Sequence, residues 1–311
     1  MKDLLSETDG LFPVRNSTEQ KKAFRAFALT EAEKAGVIAA EEENEGHVNL
    51  VFSDPEKAEV IFTAHYDTPR RALLPNMMFV TNRLLFYLYL AAVVSLMLIP
   101  AVAAAFAVKA AFRLDFQLLE HRLLMILAYL SVYFGLFTLL MHGPANKRNL
   151  NDNTSGTAAI LELVLALGDN KRAAFILFDD EEKGKKGSKA YAKAHPEIKK
   201  GKLIVNLDCV GNGGTFVFCG TKGAEEHPAY DRLVESVGES GINARFFASG
   251  KARMNSDHRS FDKAVGVCAC TYKKGLGYYT GRIHTKRDSV ADSETVGALA
   301  KALASFVENM E

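Results

Sequence analysis

The residues able to do chemistry fall where apolar runs stop. His65 and Asp67 follow Val60-Ile61-Phe62-Thr63-Ala64, and Asp208 follows Leu203-Ile204-Val205-Asn206-Leu207. Asp179, Asp180, Glu181 and Glu182 follow Phe175-Ile176-Leu177-Phe178. Short apolar runs of this kind read as buried strands. In open α/β sheets, ligands bind at the carboxyl ends of such strands. Three of these ends on one sheet edge would crowd carboxylates together, and like charges resist ionising side by side. Divalent cations relieve that repulsion. Each piece alone has an ordinary reading: His-x-Asp as a surface turn, Glu181-Glu182 as a solvated loop, Asp288 after His284 as an Asx turn. Asn151-Asp152-Asn153-Thr154-Ser155-Gly156 reads equally as a turn plus a helix N-cap.

The order of the pieces carries more than any one of them. His-Tyr-Asp (65–67) comes first, then Asn-Asp-Asn-x-Ser-Gly (151–156), then Glu-Glu-x-Gly-x-x-Gly-Ser (181–188). Asn-Leu-Asp-x-x-Gly (206–211), Ser-Asp-His (256–258) and Ile-His-Thr-x-x-Asp (283–288) complete the series. This series resembles metallopeptidase family 28, which includes bacterial zinc aminopeptidases and the glutamate carboxypeptidase II type enzymes. The resemblance spans the chain outside residues 70–145. It implies a mixed central β-sheet flanked by helices, and two zinc ions per chain. His65 and Asp208 would bind one ion, Glu182 and His284 the other, with Asp152 bridging both. Three protein ligands per ion leave an open position, as a catalytic zinc site needs. Nitrogen and carboxylate ligands without thiolate also accept cobalt or manganese. Asp67 and Asp288 would orient His65 and His284 from behind, and the peptide after Asp152 would be strained, with a cis bond one form of that strain.

By the same resemblance Glu181 is the general base, taking a proton from the attacking water and returning it to the leaving amine. One position departs from the pattern. Several secreted relatives carry a tyrosine three residues before Ser-Asp-His, and this chain has Arg253 there. A guanidinium could stabilise an oxyanion or bind a substrate carboxylate, or sit on a shifted surface loop. His258 reads as structural. Lys273-Lys274-Gly275-Leu276-Gly277 lacks the strand-to-helix context of a phosphate loop and is expected to border the site, with Tyr278 and Tyr279 as pocket walls.

These groups need an α/β frame to hold them. Residues 17–36 read as an amphipathic helix capped by Ser17 or Thr18 and stopped by Gly36. Strands are expected at 47–52, 59–64, 173–178, 203–207, 215–219, 245–248 and 265–272. Helices are expected at 154–167, 186–194 and 290–310. Strands alternating with helices indicate a largely parallel or mixed sheet. The four cysteines lack zinc-finger spacing. Cys268 and Cys270, two apart in a strand, share a face and read as small buried hydrophobes.

Lys plus Arg (38) nearly equals Asp plus Glu (37), which gives no basic field for nucleic acid. The first residues are too polar for a signal peptide. Between Leu84 and Val108, and between Leu123 and Met141, no residue is charged. These runs match the ~20 residues that cross hydrocarbon. Residues 76–143 are therefore expected to be an inserted transmembrane hairpin, with helices at about 84–108 and 123–141. Residues 1–75 and 144–311 would form the catalytic domain. His65 precedes the insertion and Asp152 follows it, so an even number of crossings is needed to bring them together. Arg70, Arg71, Arg83, Lys147 and Arg148 on the catalytic side, against Lys109, Arg113 and Arg122 on the other, favour a cytoplasmic catalytic domain.

The expected activity is a dinuclear zinc aminopeptidase acting on peptide substrates. Two other functions fit the same fold: a single-zinc glutaminyl cyclase, whose pocket is typically lined by tryptophan, which this chain lacks, and a non-catalytic membrane receptor or scaffold.

Overall fold

The computed structural model describes residues 3–72, 76–141 and 143–310. In chain order the elements are α1 (Leu4–Leu11), α2 (Thr18–Lys34), β1 (Ala39–Asn44), β2 (His47–Phe52), β3 (Val60–His65) and β4 (Met77–Phe79). Then come α3 (Arg83–Ala111), α4 (Leu119–Met141), a π-helical turn (Leu150–Ser155), α5 (Gly156–Leu167), β5 (Ala173–Phe178), α6 (Lys186–Ala194) and α7 (Pro196–Gly201). The chain ends with β6 (Leu203–Leu207), β7 (Thr215–Gly220), α8 (Lys222–Glu225), α9 (Pro228–Glu239), β8 (Ala244–Phe247), β9 (Ala264–Lys273), β10 (Gly277–Gly281) and α10 (Ser293–Glu308).

The strands form one mixed sheet in the order β1-β2-β5-β3-β6-β9-β10-β4, with β7 pairing β9 and β8. Its centre, β5-β3-β6-β9, is parallel. Every residue of β3, β5 and β6 is buried, as parallel strands covered on both faces require. Period-two alternation splits their side chains between two cores. Val60, Phe62 and Ala64 of β3, with Phe175 and Leu177 of β5, join the core built with α1, α2, α5, α9 and α10. Ile61, Ala174, Ile176 and Phe178 pack on Tyr191 of α6, Ile198 of α7 and Phe261. The result is a sheet between two helical layers. Ser17 and Gln20 form a reciprocal capping box at the start of α2, and Asp292 caps α10.

Cys268 and Cys270 lie side by side and buried in β9. Strand β4 falls inside the stretch expected to be hairpin, yet it pairs with β10, so the sheet resumes before the apolar helices begin. Asn82 caps α3 by accepting the Leu85 N–H at 3.0 Å. Ala105 and Val108 of α3 and Met125 and Tyr129 of α4 pack together with Leu114 of the connecting loop. Both are long and apolar enough to cross a membrane, and only 6% of each apolar window is buried.

Candidate metal centre

Parallel register sets the site. His65, the last residue of β3, pairs with Phe178 at the end of β5, and Asp208 follows β6 with its N–H on Val267. The His65 ring has its Nδ1 3.1 Å from the Asp67 carbonyl and 3.3 Å from Asp67 Oδ1. Its Nε2 faces Asp152 Oδ1 at 3.4 Å and Asp208 Oδ1 at 3.8 Å. From the other side, His284 Nε2 lies 2.9 Å from Asp152 Oδ2 and 3.3 Å from Glu182 Oε1. Asp152 thus offers one carboxylate oxygen to each of two His–carboxylate pairs. Glu181 joins the group: one ligand-type atom each from His65, Glu181 and Glu182 lie within 4.8 Å of one another.

The backbone that carries Asp152 is held on several sides. The Asp288 carboxylate accepts the N–H groups of Asn151 and Asp152, both at 3.0 Å. Its bonds therefore go to the shared carboxylate's own backbone, not to the His284 ring that the resemblance implied. Asn153 follows a cis peptide bond. Its Nδ2 donates to the Leu207 carbonyl at 3.0 Å, and its Oδ1 accepts from Gly156 and Cys209. One side chain so ties the end of β6 to the start of α5. Thr157 donates to the His65 carbonyl at 2.9 Å. Gly156 has to be glycine here, because a Cβ would sit 2.4 Å from both Asn153 Oδ1 and the Leu207 carbonyl.

Asp67 serves the second acidic strand end as well. Its carboxylate accepts the N–H of Glu181 at 3.0 Å and of Glu182 at 3.2 Å. Gly187, in the same motif, allows close backbone approach: a Cβ would lie 2.2 Å from the Asp179 carbonyl.

Charge in this group is mutually dependent. Burial alone would lower His65, but Asp152, Asp208 and Asp67 outweigh it and hold the imidazole well above its ordinary range. His284 is likewise held up against burial by Glu182 and Asp152. Burial would raise Asp152, yet the two histidines keep it below the usual carboxylate range. Burial, with His65 opposing and Asp257 and Glu182 adding to it, pushes Glu181 well up. Burial pushes Asp288 up to about 8 and Asp257 up to about 7. His258, buried beside Arg259, is lowered to about 3.

The donor set fits a pair of divalent cations. Glu182 Oε1 and Asp208 Oδ1 are buried without a hydrogen-bond donor, which is costly unless a cation answers them. All the donors are imidazole nitrogen or carboxylate oxygen, a combination that suits zinc.

The Arg253 side chain makes its contacts on α3. Its guanidinium lies 4.3 Å from the centre of the Phe86 ring and 3.4 Å from the Tyr87 hydroxyl, on the first turn of α3. Three residues behind the site carried no signal in the sequence. Lys21 of α2 is buried with its Nζ 2.6 Å from Asp179 Oδ1, and it also pairs with Asp180. His47 adds a contact to Asp180 at 2.9 Å, so the cluster of His47, Asp179 and Asp180 already holds an ammonium. Arg15 is fully buried, donating to the carbonyls of Tyr66 and Phe12 and to Thr154. A lysine on an amphipathic helix and an arginine in a loop read as solvated until the fold buries them.

Residues 138–307 match the sequence model of peptidase family M28. The Legionella pneumophila LapA aminopeptidase superposes with a TM-score of 0.60 at 14% identity, over 98% of this chain and 69% of its own. A zinc-dependent exopeptidase from Parabacteroides distasonis gives 0.60 at 16%, over 98% and 96%. Glutaminyl cyclase from Porphyromonas gingivalis gives 0.60 at 15%, over 99% and 96%. At such identities the likeness is one of fold. The family match takes in Asp152, Glu182, Asp208 and His284, and parallel pairing of β3 with β5 and β6 brings His65 to them from outside it. With more than half of its residues matched, this chain belongs to peptidase family M28.

Proposed function

We propose that this protein is a dinuclear zinc aminopeptidase, anchored in a membrane by α3 and α4, that removes amino-terminal residues from peptides. The observation that carries the reading is Asp152, whose two oxygens face two separate His–carboxylate pairs. His65, Asp208 and Asp152 would hold one cation, and His284, Glu182 and Asp152 the other. A zinc ion held by these residues would supply a lowered pKa for an attacking water and polarisation of the substrate carbonyl. Glu181 adjoins both sides of the group without belonging to either ligand trio. Burial raises its proton affinity, and its place beside both trios suits a base that takes a proton from the attacking water and hands it to the leaving amine. Asp67 fixes the backbone beneath Glu181 and Glu182. Asp288 does the same for Asp152.

The anchor reading rests on length, apolarity and exposure. Leu84, Leu88, Ile99, Phe106, Leu123, Leu127 and Phe134 are all exposed on α3 and α4, and soluble surfaces rarely gather so much apolar area. Two crossings return the chain to one side, and the basic residues at that side favour the cytoplasm. Arg253, stacked on Phe86, belongs to the foot of this anchor in the reading rather than to the oxyanion.

The test is a defined peptide library incubated with purified protein, with and without chelator, followed by sequencing of the trimmed end. Chelator-sensitive, zinc-restored loss of amino-terminal residues supports the proposal. Cyclisation of amino-terminal glutamine without trimming would assign the site to glutaminyl cyclase chemistry, and metal-bound but inert protein to a receptor.

A further inference from the structure

A cavity of about 700 Å³ opens beside the metal centre, and its lining is unusual in charge. Arg71, Arg282, Lys286 and Arg287 all contribute to its wall, and among the described residues no acidic side chain does. Asn76 and Asn212 add amide donors.

Its walls are continuous with the candidate site. Thr285, also in the lining, directly follows His284. Asn212 follows Gly211, whose N–H donates to Asn151 Oδ1 at 2.9 Å, one residue from Asp152. Ala72, next to Arg71, donates its N–H to the His284 carbonyl at 2.7 Å. The basic wall is thus tied by backbone to both the histidine and the shared carboxylate of the same centre.

Four cations with no carboxylate repel one another, and an incoming anion relieves that repulsion. Guanidinium forks match carboxylate geometry in pairs of hydrogen bonds. The volume falls within the range of small-ligand clefts, and the wall is concave, unlike a flat face that meets lipid headgroups.

We propose that this cavity is a substrate subsite that selects peptides bearing a carboxylate, supplied by an acidic side chain near the cleaved end or by the free carboxyl terminus of a short peptide. The proposal rests on the exopeptidase reading of the adjoining centre. In that arrangement His284 and Asp152 lie at the reacting end, and Arg282, Arg287, Lys286 and Arg71 hold the anionic end of the same substrate. Selectivity then comes from charge rather than from an apolar slot.

The test uses zinc-loaded, full-length protein in nanodiscs of zwitterionic lipid. Three matched peptide pairs separate the sources of the carboxylate: Glu against Gln at the first residue, Glu against Gln at the second, and a free against an amidated carboxyl terminus. At least one pair should favour the anionic member in kcat/KM by roughly tenfold or more, mainly through KM, as expected of charged hydrogen bonds. Added salt should shrink that ratio. In Arg282→Gln/Arg287→Gln it should fall toward one. Arg71→Gln/Lys286→Gln, which removes the other two cations of the wall, should do the same and covers the case in which the first variant fails to fold. Ratios near one in all three pairs overturn the proposal. So does a preference that survives in folded variants, or variants that change only binding to phosphatidylserine vesicles. If no peptide is cut, the exopeptidase reading fails separately. Calorimetric titration of the same pairs then decides the subsite: selective binding of the anionic member supports it, and equal binding overturns it.

Discussion

In the proposed reading Asp152 and Glu181 divide the work at the centre, one as a shared ligand and the other as a base held among ligands. Replacing Glu181 with Gln keeps size and hydrogen bonding but removes the base. The variant should retain its metal while kcat falls about 10²–10⁴-fold, read by metal analysis and steady-state kinetics on one preparation. A parent-like rate would remove Glu181 from the mechanism. Asp67→Asn turns one acceptor of the Glu181 and Glu182 N–H groups into a donor. A loss of about 10–100-fold in metal affinity or activity is expected for such a supporting residue, measurable by zinc competition with a chromogenic chelator. The candidate ligands could be named from the sequence because the ordered motifs resemble those of the family. The work of Asp288 was not legible there, since the resemblance implies an acid behind His284 but the sequence cannot tell that ring from the backbone of Asp152. Arg15 and Lys21 were illegible for another reason: their partners lie far along the chain and meet them only through tertiary packing.

Among the elements, α2 holds the acidic end of β5 from behind. Lys21 is buried between Asp179 and Asp180. Lys21→Met would leave the Asp179 carboxylate buried without its cation, while Asp180 keeps His47 and Lys183, at a cost of about 3–5 kcal/mol, visible as a fall in the denaturation midpoint with unchanged m-value. Helix α5 carries the opposite liability. Burial pushes Glu162 up to about 7, above the ordinary glutamate value, so the folded state favours its protonated form. That stabilisation is present at acidic pH and is lost as pH rises through about 7. Glu162→Gln should therefore raise the melting temperature at pH 8 and change it little at pH 5. The reverse order would show that the side chain is solvated. The central strands were legible as unbroken apolar runs. The sheet's margins were not: β1 is Ala-Ala-Glu-Glu-Glu-Asn, whose charges suit an edge but read as loop. β4 and β10 are short, and β10 begins and ends in glycine.

At the scale of the whole molecule, an apolar helix pair lies in the chain between His65 and Asp152. The apolar runs alone announced it, although they did not show that β4 rejoins the sheet first. Replacing residues 84–141 with a short Gly-Ser linker keeps β4 and Thr81, whose hydroxyl accepts the Tyr278 N–H. The shortened protein should stay soluble without detergent and keep its zinc, read by size-exclusion chromatography and metal analysis. Loss of zinc from a folded, monodisperse product would mean that α3 and α4 help to build the site.

The central claim is that one carboxylate, Asp152, joins two metal positions. Zinc content per folded chain tests it most directly, measured by mass spectrometry on the parent and on Asp152→Asn. The parent should hold two ions, and the variant should lose metal from both positions together, because each trio contains Asp152. One ion in the parent, or a variant that keeps the parent's content, would contradict it.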